Sequence, residues 1–216
     1  MLRGTTSHFN TSTLVNHILF WITTSAIVPV ANGVFVTYFL LLREKELPVA
    51  LGCSLRWALF LTLAGFVPGL LMILPDSFQD AITMYRQFDG HTVGFPEGGP
   101  GLPWIGWSTV AGDLRIAHFV GIHALQILPA VEWLVMTLLP RLAEARQRAL
   151  VWIFGLAYLG TIALLTWQAL SAESIVGPSV RTILIASIFL LINIVATALV
   201  IWLPRKNFWS NEPAAQ

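Results

Sequence analysis

Five stretches of this chain are apolar over about twenty residues or more, at about 13–42, 55–74, 115–139, 149–171 and 180–203. No other feature constrains the fold as strongly. A helix needs about twenty apolar residues to cross a hydrocarbon core of about 30 Å, and every backbone polar group in that core must find its partner inside the protein. A helix meets this demand within its own segment. Of the 216 residues, 56% are hydrophobic and 11% charged, against roughly 25% charged in soluble domains. The expectation is an all-α, polytopic transmembrane helical bundle of about five spans, with residues 1–216 forming a single transmembrane domain. Its first partner is the lipid bilayer. The single cysteine, Cys53, excludes an internal disulfide and a thiolate metal cluster. A net charge of +1 gives no footing for nucleic acid. The first apolar run is too long for a signal peptide and lacks an A-x-A-like cleavage site.

The positive charges divide unevenly. Arg43, Lys45 and Arg56 stand between the first two spans, Arg141, Arg146 and Arg148 between the third and fourth, and Arg205 and Lys206 after the fifth. Those eight lie on one side, against Arg3, Arg86, Arg115 and Arg181 on the other. The positive-inside rule then places the N-terminus outside and the C-terminus in the cytoplasm. This orientation suits the cell inner membrane. Trp21, Trp57, Trp152, Trp202 and Trp209 near span ends are expected as interfacial anchors.

One long connection, about 75–112, falls on the outer side. Its first part, about 76–88, suits a short surface helix. The remainder is dense in glycine and proline and cannot be helical. Its aromatic residues, Phe95, Trp104 and Trp107, favour a loop folded back onto the mouth of the bundle rather than a free surface loop.

The third span carries an unusual load for a segment bound for hydrocarbon: Arg115, His118, His123, Gln126 and Glu132. On an unbroken helix, at about 100° per residue, the first four fall within an arc of about 140°, and Glu132 widens it to about 180°. Polar groups facing lipid cost a few kcal/mol each, so the stripe must face protein, trapped water or a ligand. Asp113 is placed as the N-cap. His8, His17 and His91 also belong to the outer half, and Asn16, Gln168, Glu173 and Arg181 join them there. The candidate pocket therefore comprises His118, His123, Arg115, Gln126, Asp113, His17, His91 and His8.

Several chemistries fit such a set. A b-type haem would need imidazoles from different helices at one depth, such as His17 with His118 or His123. The latter two are offset by about 7.5 Å along a helix and turned apart by about 140°, so they cannot both ligate one haem. A metal site would draw on His118, His123 and His91, with Asp113 or Glu97 as oxygen donors. Acid–base work on a lipid or quinone would use a near-neutral imidazole positioned by Arg115 or Gln126. A transport or proton path would continue inward to Glu132. The remaining alternative is purely structural, with the polar groups joining helices inside a homo-oligomer or with an additional membrane subunit. No motif selects among them, and the cofactor is left unknown.

Two segments, R-G-T-T-S-H-F-N at 3–10 and G-H-T-V-G … G-G-P-G-L-P … G-D-L-R-I-A-H-F-V-G-I-H-A-L-Q from Gly90 onward, resemble an uncharacterised family of bacterial integral membrane proteins. The resemblance covers about forty residues in its second part and brings no assigned activity. Its matched positions include His8, Asn10, His91, Asp113, Arg115, His118, His123 and Gln126. Family members carry further hydrophobic helices before the first motif, so the resemblance implies that such helices would supply pocket walls in longer members.

Overall fold

The computed structural model describes residues 13–74, 88–96 and 99–203. Among them are six helices: α1 Leu14–Arg43, α2 Val49–Leu71, α3 Leu114–Ile122, α4 Ala124–Leu138, α5 Glu144–Leu170 and α6 Val180–Trp202. Helices α1, α2, α5 and α6 are each long and apolar enough to cross a membrane. Helices α3 and α4, bent by 51° between them, reach that length and apolarity only as a pair, so the bundle has four spans, or five where the pair counts as one. The protein is an all-α multi-pass membrane bundle.

The ends of the helices follow from local chemistry. Thr13 caps α1 by accepting from the Asn16 amide, and Ser179 caps α6 by accepting from Thr182. Pro29 lies within α1, which runs on through it; Thr23, Ser25 and Thr37 fold their hydroxyls back onto carbonyls of the preceding turn. Two boundaries differ from the sequence expectation. Helix α2 begins at Val49 and α5 at Glu144, each several residues earlier than hydropathy suggested. Arg56 and Arg146 therefore sit on helices, and each caps a neighbour. Arg56 donates to the carbonyls of Leu41 and Glu44 at the end of α1. Arg146 donates to Ile201 and Leu203 at the end of α6. Cations at helix C-termini satisfy orphan carbonyls and complement the helix dipole.

Helix α2 is the centre of the bundle. It packs on α1, α3, α4 and α5, whereas α6 rests on α5. The inner core joins Cys53, Trp57, Ala58 and Leu61 of α2 to Ala124 and Leu128 of α4 and Val151 and Ile162 of α5. Close approach depends on glycine: a Cβ on Gly65 would lie 2.6 Å from the backbone of Gly121. Trp57 was expected as an interfacial anchor; it is instead buried in this core, its ring filling the space left by Gly155. Trp21, Trp152 and Trp202 are exposed as expected, and Trp209 lies outside the described residues.

A three-stranded antiparallel sheet, β1 Phe88–Asp89, β2 Thr92–Val93 and β3 Gly112–Asp113, covers the end of the bundle at which α3 begins. Val93 and Leu114 pack there on Met72 and Ala169. The surface helix expected at about 76–88 falls outside the described residues, save for Phe88 in β1.

Candidate functional site

The third span does not continue through its polar stripe. Its first half, α3, ends at Ile122, and its second half, α4, begins at Ala124 on a changed axis. Two carbonyls at the bend take side-chain partners, and one of them leaves the helical ladder. Phe119 O receives the His123 amide at 3.2 Å but also lies 2.7 Å from His123 Nδ1. Val120 O, which an unbroken helix would pair with Ala124, accepts the Tyr158 hydroxyl at 2.6 Å. Insertion of side chains into the ladder is a recognised cause of sharp bends. The azimuths expected for a straight helix therefore hold only up to His123.

His118 sits one and a half turns before the bend, half-buried against α2. Its Nδ1 is 2.8 Å from Gly65 O, and the ring occupies space that a side chain on Gly69 would fill. Phe66 flanks it with ring centres 6.2 Å apart. His123 stacks on Phe119 at 3.9 Å, and Trp107 from the loop meets Phe119 edge-on at 5.7 Å. A backbone carbonyl can only accept, so in both imidazoles Nδ1 carries the hydrogen. In the neutral rings Nε2 is then the lone-pair nitrogen, the arrangement that orients histidines toward a proton donor or a Lewis acid. The rings share this preparation but not a neighbourhood: His118 turns to α2, His123 back over its own helix.

Above them lies a charged clamp. Asp113 is 2% exposed and accepts from the amides of Ser108 and Arg115, at 2.9 and 3.0 Å. The Arg115 guanidinium meets it at 2.6 Å and also donates to Gly106 O at 2.6 Å. Ser108 Oγ accepts from Ala111, and its carbonyl accepts from Ser174. Gln168 in turn donates to Ser174 O. Residues 99–113 are thus an ordered cap fixed to α3 and to the end of α5. Gly112 has no room for a side chain against Ala169. A buried carboxylate with this many donors is fully compensated. Asp113 and Arg115 build the cap.

The other candidates spread out. His17 is exposed on α1, where its Nε2 accepts from Trp21 Nε1 at 3.0 Å. That bond occupies the nitrogen a haem iron would need. His91 is half-buried beside the outer sheet, and its carbonyl receives the Leu114 amide. Gln126 is exposed. His8, Asn10 and Glu97 lie outside the described residues. Among the described residues no three His, Cys, Asp or Glu side chains stand together as metal ligands. A cavity of about 450 Å³ is an apolar groove lined by Val30, Gly33, Thr37, Leu55, Leu59 and Leu125. No histidine lines it. A polar crevice bounded by Asp113, Gln168 and Glu173 measures about 10 Å³, room for about one water.

Glu173 serves the α5–α6 turn. Burial opposes its charge, but hydrogen bonds from Thr182 and Ser179 and the nearby Arg181 outweigh this and hold its carboxyl below the ordinary range. Arg181 also lies 5.1 Å over the Trp167 ring. Hydropathy and the polar stripe alone miss Tyr158, whose hydroxyl fixes the bend, and Ser108, whose polar atoms organise the cap.

No family model, curated protein or solved structure matches this chain.

Proposed function

We propose that this is a multi-pass inner-membrane protein, N-terminus out and C-terminus in, that binds a small hydrogen-bond-donating molecule on its outer side. The resemblance of the outer segments to a bacterial membrane family belongs to this reading. The binding groups are the Nε2 atoms of His118, turned to α2, and of His123, turned back over its own helix, two separate acceptors carried by the broken third span. One observation supports it above the rest: both rings are locked through Nδ1 onto main-chain carbonyls. A lone pair held at a fixed angle accepts a hydroxyl or ammonium hydrogen with little ordering cost. The break itself adds to the case, because irregular backbone at membrane depth is kept where it lines a site or is buried in protein.

The test uses the full chain in nanodiscs, labelled with ¹⁵N-histidine and titrated with a short-chain quinol as the hydroxyl donor. The reading expects saturable shifts at the Nε2 resonances of His118 and His123, lost in the His118→Gln/His123→Gln variant. Absence of any saturable change at these nitrogens, with quinols and with hydroxylated lipid headgroup analogues, would sink it.

A further inference from the structure

The core between α2, α4 and α5 is apolar at its middle and polar at its inner end. On α4, Ala124, Leu128 and Glu132 recur at one face and are 0%, 1% and 5% exposed. The buried face of α2 carries Ser54, Ala58, Leu61 and Gly65. That of α5 carries Gln147, Val151 and Gly155. The contact of Gly65 with Gly121 sets α2 antiparallel to the third span. Eleven residues along each helix from that contact stand Ser54 and Glu132 (65 to 54 and 121 to 132). Trp57 on Gly155 sets α5 alongside α2 and carries Gln147 to the same end. A carboxyl, a hydroxyl and a carboxamide therefore terminate three buried stripes that are otherwise apolar.

These groups are not consumed by the fold. Ser54 Oγ is fully buried with no hydrogen-bond partner. Among the described residues no hydrogen bond or ion pair reaches the Glu132 carboxyl. Gln147 reaches Leu139 O at 3.4 Å. The charged and titratable groups on the surrounding helices are engaged or turned outward. On α2 they are Arg56, bound to the end of α1, and the exception Cys53, a thiol buried in the core. On α5 they are Glu144 and Arg148, both exposed, and Arg146, bound to the end of α6. An ionised carboxylate taken from water without a cation or donors is far costlier than the neutral acid. Ionisable groups inside membranes are rare and tend to be functional.

We propose that Glu132 is a proton-binding carboxyl. It holds a proton within the bundle and exchanges it with solvent at the inner end past Gln147. The step is proton transfer alone: the carboxylic acid and a water molecule give carboxylate and hydronium. It does not depend on ligand binding by the histidines, which lie in the outer half.

Dicyclohexylcarbodiimide, which partitions into bilayers and reacts with protonated carboxyls, tests this on the full chain in nanodiscs. Modified peptides are mapped across a pH series. Glu132 should be modified at neutral pH severalfold more than any other of the eleven acidic residues, with labelling falling as the medium becomes alkaline. The infrared C=O band of a protonated carboxyl should disappear in Glu132→Gln. Labelling no greater than that of exposed carboxylates overturns the proposal. Suppression by excess sodium ion overturns it too, since the site would then hold a metal cation. The wild-type labelling decides the matter even if Glu132→Gln does not fold.

Discussion

Helices α2 and α6 have the same length, 23 residues, and hydropathy selects both as membrane spans, yet they occupy opposite environments. More than half of the apolar window of α2 is buried in protein, while none of the corresponding window of α6 is. The less apolar helix is the central one. In lipid there is no hydrophobic gain from moving a leucine from tails to protein, so association rests on close packing and polar contacts. Helix α2 supplies Gly52, Cys53, Ser54, Ala58, Thr62 and Gly65 on its buried side. Helix α6 presents Ile183, Leu184, Ile188, Leu190 and Leu191 outward, with Thr182 its only buried residue. Small residues mark the protein interior here and large aliphatic residues mark the lipid face.

The sharpest way to break this comparison is at glycine. Gly65→Ala places a Cβ against the Gly121 backbone, where no flexible side chain can yield, and should cost about 3 kcal/mol. Gly33→Ala on α1 meets nothing within 4 Å and should change stability by less than about 0.5 kcal/mol. Reversible unfolding in mixed micelles measures both. Equal effects would show that α2 does not organise the bundle.

A smaller loss is expected at the polar counterpart of that core, the outer cap. Asp113→Ala removes the carboxylate from Arg115, which keeps only Gly106 O, and from two amides, and should destabilise the cap by about 2–3 kcal/mol. Limited proteolysis within residues 99–112 should rise, while the helical core stays resistant. Loss of the whole bundle would instead make the cap part of the core.

Tyr158→Phe removes the hydroxyl from Val120 O and should cost only about 0.6–1 kcal/mol, because membrane hydrogen bonds are individually weak. The 51° bend should relax. Spin-label distances between the two halves of the third span report that change directly, and an unaltered distance would leave the His123 ring alone responsible for the break.

The smallest effect belongs to Glu173. Its carboxyl ionises below the ordinary value of 4.5, so its contribution is present above that value and is lost as pH falls through the lower folded one. The melting temperature of the wild type should therefore decline more steeply below pH 4.5 than that of Glu173→Gln. Parallel slopes would remove Glu173 from the α5–α6 turn.

Much of the fold was legible because its determinants are local. Apolar runs long enough to cross lipid gave the helical class, and α1 and α6 lie within a residue or two of their expected bounds. Thr13 and Ser179 capped where such residues cap. The irregular outer loop followed from its glycine and proline content. Trp57 was misread because an aromatic near a span end suits an interface and a core equally; Gly155, about a hundred residues later, selects the core. The early start of α5 was hidden because Arg146 and Arg148 count as charges against a span, although the head of Arg146 reaches the end of α6.

For the site, residue types could be selected from sequence but their directions could not. His118, His123, Arg115 and Asp113 stand out as polar groups in an apolar segment, and all four have defined partners. Whether two imidazoles share a neighbourhood depends on the axis of the helix that carries them, and that axis turns at His123. The turn is held partly by Tyr158 from another helix. Composition and periodicity determined that this chain lives in a bilayer and where it crosses, since solvation of the backbone acts on each segment separately. Tertiary structure decided which helix is central, where the third span breaks and which polar groups remain unmatched, because those outcomes depend on contacts between residues far apart in the chain.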